Sequence, residues 1–269
     1  MELGEWINNI DHYSNLYKTA KPFEYVIINN FFNEKYANMI YDNLPTPLDK
    51  NKNWHHYNNP IEQKYSLNNF NEYELIKNLY ESLVSNDFIE KIQKITGINN
   101  LENDPYLHGA GIHAYPNKGK LDMHLDYNIH PISGKERRIN LIIYMNKDWK
   151  DEYGGKIELY DINKNKIVEE SPSFNSVIIF RTSDISYHGL PKPINCPENI
   201  FRKSIAIYYV SEARENLTKR FKAEYYPQLN QSLTDGLKKL YEIRKERLIT
   251  NDDLNEHYPK WYLEDNGFW

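Results

Sequence analysis

Between Gly109 and Val210 the chain breaks into short β-type runs separated by turn residues, and this pattern constrains the fold more than any other. Gly109 to Tyr115, Arg138 to Met145, Lys156 to Tyr160, Ser176 to Phe180 and Arg202 to Val210 are rich in β-branched and aromatic residues, with Gly, Pro and Asn clusters between them. Many short strands in succession predict a sandwich or barrel.

The flanking regions read differently. Residues 1–100 mix helices with a strand that begins at Tyr25. Asn33 to Asn43 carries Tyr36, Met39, Ile40 and Leu44 at helical spacing behind a candidate N-cap, Asn33. Glu74 to Val84 and Asn86 to Ile95 predict two further helices, the second stopped at Thr96-Gly97. In the C-terminal extension, residues 213–269, Leu233 to Leu248 has one apolar side and predicts a helix. The aromatic end, Trp261 to Trp269, is expected to dock on the body. With no internal repeat and no linker, residues 1–269 read as a single domain: helix-rich to 100, β-rich over about 101–212, helical beyond.

Composition removes several function classes. The 269 residues have a formal net charge of −5, which disfavours nucleic acid as a partner. Cys196 is the single cysteine, so no disulfide forms within the chain, and its Pro- and Asn-containing surroundings read as a plain loop. The first residues are acidic rather than basic and no long apolar run follows, so neither a secretory signal nor a membrane span is predicted and the expected location is cytoplasmic. Oligomeric state leaves no mark in the sequence.

The chemistry lies in three pieces. His124-Leu-Asp126 places an imidazole and a carboxylate two residues apart, on one face if the segment is a strand. His188 follows in a separate segment. Two histidines and one carboxylate occupy one face of an octahedral ion and leave positions open, the donor set of non-haem Fe(II) oxygenases. The third piece is Arg202-Lys-Ser204-Ile-Ala-Ile-Tyr-Tyr-Val. Period two puts Arg202, Ser204, Ala206 and Tyr208 on one face and Lys203 on the other. An inward arginine in a strand requires an anion, and a guanidinium grips a carboxylate with two parallel hydrogen bonds while Ser204 adds a hydroxyl. The far end of a dicarboxylic keto acid, whose near end chelates the metal, meets that need.

In this order the motifs resemble the Fe(II)/2-oxoglutarate dioxygenase superfamily, in particular its prolyl-4-hydroxylase-like branch. The resemblance runs from about Phe23 to Val210. It is carried by Tyr115, Tyr144-Met-Asn-Lys-Asp-Trp149, Gly154-Gly155, Pro172-Ser-Phe174, Val177-Ile-Ile-Phe180, His188 and the Arg202 strand, with Met145 where Leu is usual. It implies a double-stranded β-helix core of jelly-roll or cupin-like type, mainly β with flanking helices. It also implies Fe(II), 2-oxoglutarate, O2 as co-substrate and ascorbate as a supporting reductant, with Tyr115 and Tyr144 touching 2-oxoglutarate. His108-Gly-Ala-Gly-Ile-His113, Asp126-Tyr-Asn-Ile-His-Pro131, Arg137-Arg-Ile-Asn-Leu141 and Ser186-Tyr-His-Gly-Leu-Pro191 resemble a bacterial-type subgroup that brings no substrate with it. Its extra polar residues, His113, Asn128, His130 and Arg138, are candidates for the substrate pocket; the alternative is that they satisfy loops and barrel ends.

The expected reaction is hydroxylation of an unactivated C–H bond, with release of succinate and CO2. The substrate is a small molecule or a peptidyl, prolyl-like side chain, and the absence of an extended charged groove favours the small molecule. A silent jelly-roll binding module and a zinc enzyme using the same His/Asp/His set are the alternatives. Alanine at His124 or Asp126 is expected to abolish turnover with the fold intact.

Overall fold

A computed structural model describes residues 1–49, 53–229 and 231–259, so the Trp261 to Trp269 stretch expected to dock lies outside the described residues. The helices are α1 (Ile10–Thr19), α2 (Glu34–Asp42), α3 (Glu74–Leu83), α4 (Asn86–Thr96), α5 (Asp235–Glu246) and α6 (Asn251–His257). The strands are β1 (Tyr25–Ile28), β2 (His55–Asn58), β3 (Glu62–Leu67), β4 (Glu102–Asn103), β5 (Gly111–Tyr115), β6 (Lys120–Leu125) and β7 (Glu136–Tyr144). They continue with β8 (Ile157–Tyr160), β9 (Lys166–Glu170), β10 (Ser176–Arg181), β11 (Tyr187–Leu190), β12 (Arg202–Ser211) and β13 (Glu224–Tyr225).

The strands form one antiparallel path, β1-β10-β7-β12-β5-β3-β6-β11-β8-β9, with β2, β4 and β13 added at its sides. The path curls, because residues of β3, β5, β6, β7, β8, β11 and β12 all line one cavity. This is the jelly-roll half-barrel that the resemblance implied, within the sandwich-or-barrel class expected from the strand pattern.

Alternation along three strands decides what each face meets. Ile139, Leu141 and Ile143 of β7, Val177 and Ile179 of β10, and Ile205, Ile207 and Tyr209 of β12 join the core shared with Ile40, Leu79, Leu83, Phe88 and Ile92 of α2, α3 and α4. Each such side chain removed from water contributes roughly 1.5–3 kcal/mol. The intervening Asn140, Ile142, Tyr144, Arg202, Ser204 and Tyr208 line the cavity instead. The helix ends follow local chemistry: the Asn33 side chain accepts from the Tyr36 amide at 2.8 Å, and Gly97 takes φ 71° after α4.

The C-terminal extension closes the curl. Tyr225 of β13 pairs with His124 of β6, and Leu237, Leu240, Tyr241 and Leu254 pack around Ile61 and Tyr225. The helix expected over Leu233 to Leu248 is shorter, Asp235–Glu246, because Thr234 caps it and Arg247 turns out to an extended conformation. Arg244 donates from Nε to Glu62 at 2.7 Å, and Tyr225 donates its hydroxyl to the other Glu62 oxygen at 3.0 Å. Burial alone would raise the Glu62 carboxyl, but Arg244, Lys64 and Tyr225 bring it below its ordinary value. A depressed carboxylate contributes stability above its unfolded value, 4.5, and loses it as pH falls through the lower folded value. Arg244→Ala leaves that buried charge unpaired and is expected to cost about 3–5 kcal/mol near neutral pH. The deficit should shrink as pH falls towards and below 4.5, because Glu62, no longer held down by Arg244, takes up a proton in the folded variant. Denaturant unfolding across pH checks this, and a deficit that does not change with pH contradicts it.

Candidate active site

β6 and β11 run side by side, with His124 and His188 paired across them. Their ring centroids are 4.3 Å apart. The backbones are unusually close at the next residue: a Cβ on Gly189 would lie 2.9 Å from the Leu121 carbonyl oxygen and 3.0 Å from the Met123 amide nitrogen. Gly189→Ala therefore pushes β11 away from β6. We expect a roughly 10–100-fold loss of metal affinity in a folded protein, as when a ligand's support is disturbed. Metal titration checks this, and unchanged affinity contradicts it.

His124, Asp126 and His188 are buried, and each offers a ligand atom within 4.8 Å of the other two. Asp126 lies with Oδ1 3.7 Å from His124 Nε2 and Oδ2 3.5 Å from His188 Nε2. Each histidine uses its other nitrogen identically: Nδ1 is 2.9 Å from the carbonyl two residues back, Asp122 for His124 and Ser186 for His188. A proton on Nδ1 satisfies that carbonyl and leaves the Nε2 lone pair facing the centre. Burial, with His124 beside it, pushes His188 down to about 3, so its ring is a neutral donor at ordinary pH.

Asp126 is held by two residues of the Arg137-Arg-Ile-Asn-Leu141 motif that were not among the sequence candidates. Its Oδ2 accepts from Arg137 at 2.9 Å and from the Asn140 amide at 2.8 Å, leaving Oδ1 free towards His124. Burial would raise its carboxyl, but the Arg137 guanidinium and the two imidazoles outweigh this and hold it well below the usual carboxylate range. Arg137 is itself buried, with Cζ 3.2 Å from the Tyr208 ring centroid and 4.7 Å from that of Tyr127.

The neighbouring arginine, Arg138, was the sequence candidate, and the structure corrects it. The β7–β12 register shifts between Tyr209, which faces Ile139, and Val210, which faces Arg137. This bulge reverses the alternation before Ile139, so Arg137 joins the cavity face of Asn140, Ile142 and Tyr144. Arg138 instead donates to Ser211 Oγ at 3.0 Å and pairs with Glu136 at 3.5 Å. Asn128 and His130 are also absent from the cavity wall. Asn128 donates to the Thr218 carbonyl and accepts from the Arg220 amide, each at 2.7 Å. His130 accepts the Ile132 and Ser133 amides on Nδ1 and points Nε2 at Asp104, 3.2 Å away. Both are held by loop partners. His113 does line the cavity.

Arg202 enters the same cavity from β12. Its Nε donates to the Gly155 carbonyl at 2.6 Å, and its Cζ lies 5.2 Å from the Tyr115 ring centroid and 4.9 Å from that of Tyr144. The Tyr144 hydroxyl is buried and has no hydrogen-bond partner among the described residues. Burial pushes it up to about 12, a rise that Arg202 limits. Ser204 and Tyr115 are buried on the same wall. Lys203, one residue from Arg202, points the other way, with Nζ 4.9 Å from the Tyr41 ring centroid. The wall is completed from outside the strand region by Phe221, Lys222, Ala223, Tyr225, Arg244, Arg247 and Leu248. Cys196 plays no part: it is buried beside Ile194 and donates to the Ile200 carbonyl at 3.1 Å.

Residues 110–210 match the sequence profile of the 2OG-Fe(II) oxygenase superfamily. That stretch is the β-rich part of the chain and supports its reading as a 2-oxoglutarate-dependent oxygenase. The oxygenase shares its fold with a prolyl hydroxylase of Trichoplax adhaerens solved with a hypoxia-inducible-factor peptide fragment. That pair has 19% identity, a TM-score of 0.57, and coverage of 77% of this chain and 94% of the other. A Pseudomonas putida prolyl-4-hydroxylase gives 11% identity and a TM-score of 0.52, over 74% of this chain and 99% of that one. The 2-oxoglutarate-dependent epimerase SnoN of nogalamycin biosynthesis gives 10% identity and a TM-score of 0.54, over 82% and 86%. No curated protein is significantly similar in sequence. The cofactors of the oxygenase are Fe(II) and 2-oxoglutarate. The residues present fit them: a buried two-nitrogen, one-oxygen donor set for the metal, and a guanidinium with an unpartnered hydroxyl for a carboxylate. Among the described residues no helix is long and apolar enough to cross a membrane.

Proposed function

We propose that this oxygenase hydroxylates an unactivated C–H bond of a small molecule, with iron on His124, Asp126 and His188 and 2-oxoglutarate on Arg202, Ser204, Tyr144 and Tyr115. The observation that carries this reading is that Arg202 and the unpartnered Tyr144 hydroxyl share one buried cavity with the His/Asp/His cluster.

When bound, Fe(II) and 2-oxoglutarate supply the oxidising power: O2 is consumed, the keto acid becomes succinate and CO2, and one oxygen atom enters the substrate C–H bond. The chain's own residues do the rest. His124 and His188 present unprotonated Nε2 atoms because Asp122 and Ser186 carbonyls hold the Nδ1 protons. Arg137 and Asn140 keep Asp126 ionised and turned. Arg202 neutralises the distal carboxylate of the keto acid, and the Tyr144 hydroxyl gains in that carboxylate the acceptor it lacks. Ile142, Ile157 and Leu190 keep the wall apolar and water out. A cavity of about 460 Å³ has room for the keto acid and a small substrate group. Hydroxylation of a prolyl side chain, as the names of two neighbours indicate for those proteins, is the peptidyl version of the same reaction.

Purified protein given Fe(II), 2-oxoglutarate, ascorbate and air is expected to release succinate slowly even without substrate, and a chelator should stop it. A folded, metal-loaded protein that yields no succinate contradicts the proposal and favours a silent binding module.

A further inference from the structure

The cavity wall carries six cationic side chains, Lys64, Arg137, Arg202, Lys222, Arg244 and Arg247, against two carboxylates, Glu62 and Asp126. The chain as a whole is net −5, so the positive surplus is a property of this cavity. Four of the six cations are committed. Arg137 pairs with Asp126 at 2.9 Å, Arg244 with Glu62 at 2.7 Å and Arg247 with Asp253 at 2.5 Å. Arg202 is assigned above to the co-substrate. The formal charges of Fe(II) and the 2-oxoglutarate dianion cancel, so loading the site leaves the surplus in place.

Lys64 and Lys222 remain, neither with a carboxylate within 4.0 Å among the described residues. Lys64 stands two residues from Glu62 on β3, on the same cavity-facing side. Its Nζ is 5.1 Å from the ring centroid of Tyr57, another wall residue. Glu62, its nearest acidic neighbour along the strand, is taken by Arg244 and Tyr225. Lys222 comes from the segment leading into β13, between Phe221 and Ala223, and is exposed at the mouth. Two unpaired ammonium groups beside a largely apolar wall attract an anion, because each gains a charge-assisted hydrogen bond that no protein group supplies.

We infer that the substrate is an anionic small molecule, bearing a carboxylate or a phosphate group, which Lys64 and Lys222 receive at the mouth of the cavity. The opposite end of the molecule then faces the metal cluster. This inference rests on the oxygenase reading of the same cavity.

The test is calorimetric titration of protein loaded anaerobically with Fe(II) and 2-oxoglutarate, using benzoate, phenyl phosphate and neutral benzamide as probes. The visible band of the metal–keto-acid chelate is followed in the same samples. At least one anion should bind saturably, benzamide should not, and the Lys64→Gln/Lys222→Gln double variant should weaken that binding roughly tenfold or more while the band persists. The two anion arms separate carboxylate from phosphate recognition. Benzamide binding as tightly as the better anion, binding of neither anion, or anion binding unchanged in the double variant overturns the inference. Anion binding that erases the band marks displacement at Arg202 and overturns it as well. A band that never forms in folded protein is the failure of the oxygenase reading instead, and it is read without any probe.

Discussion

Asp126→Ala is expected to abolish turnover and, in the metal-free protein, to cost about 3–5 kcal/mol of stability, because it strands a buried guanidinium. Arg137 is 2% exposed and lies between the Tyr127 and Tyr208 rings, so water cannot replace the lost carboxylate. Asn140 still accepts from Arg137 but carries no charge. The sequence alone suggested that alanine at Asp126 or at His124 would leave the fold intact, and the structure separates the two. His124→Ala strands no buried guanidinium and should cost the metal-free protein less stability than Asp126→Ala does, with turnover lost. Denaturant unfolding of both variants, beside succinate assays, makes the comparison. Adding Arg137→Leu to Asp126→Ala should recover part of the stability and none of the turnover. Equal stabilities of the two single variants contradict the Arg137–Asp126 account.

Arg202→Ala is expected to raise the 2-oxoglutarate requirement by a factor of roughly 30 to 1,000. This corresponds to the loss of one bidentate, charge-assisted pair in a buried site, about 2–4 kcal/mol. Metal binding should change little, because Arg202 bonds to the Gly155 carbonyl rather than to a cluster residue. Lys203→Ala is the control: its charge stands one position away but over Tyr41, behind the sheet. A 2-oxoglutarate dependence that moves with Lys203 and not with Arg202 contradicts the assignment of the anchor.

The parts of the site that were legible in the sequence lie on regular strands. Arg202, Ser204 and Tyr208 obey period two along β12, and Asn140, Ile142 and Tyr144 obey it along the regular part of β7, so their common face followed from spacing alone. Arg137 escaped because a bulge is set by pairing with another strand, and period two counted back from Tyr144 through Asn140 selects Arg138. Its signal was present in the Arg137-Arg-Ile-Asn-Leu141 motif, which holds both arginines without telling which one faces inward. Asn128 and His130 are polar near a ligand, which made them candidates, but their partners Thr218, Arg220 and Asp104 lie outside the motif that suggested them.

The outer architecture divides the same way. The α2 and α4 ends were marked by Asn33 and Gly97, where the capping chemistry is local. The expected strands were found within a few residues. The C-terminal extension was legible as a helix but not as a wall of the site. That role depends on Tyr225 pairing with His124 and on Arg244 meeting Glu62, contacts across about a hundred residues or more that no local pattern encodes.

The most direct test of the account is anaerobic titration of the apo protein with Fe(II) and then 2-oxoglutarate, followed by visible absorption, with His124→Ala and Arg202→Ala alongside. The account predicts a charge-transfer band that requires both additives, is absent in His124→Ala and needs far more 2-oxoglutarate in Arg202→Ala. A folded protein that binds the metal yet shows no band, or a band indifferent to Arg202, would contradict it.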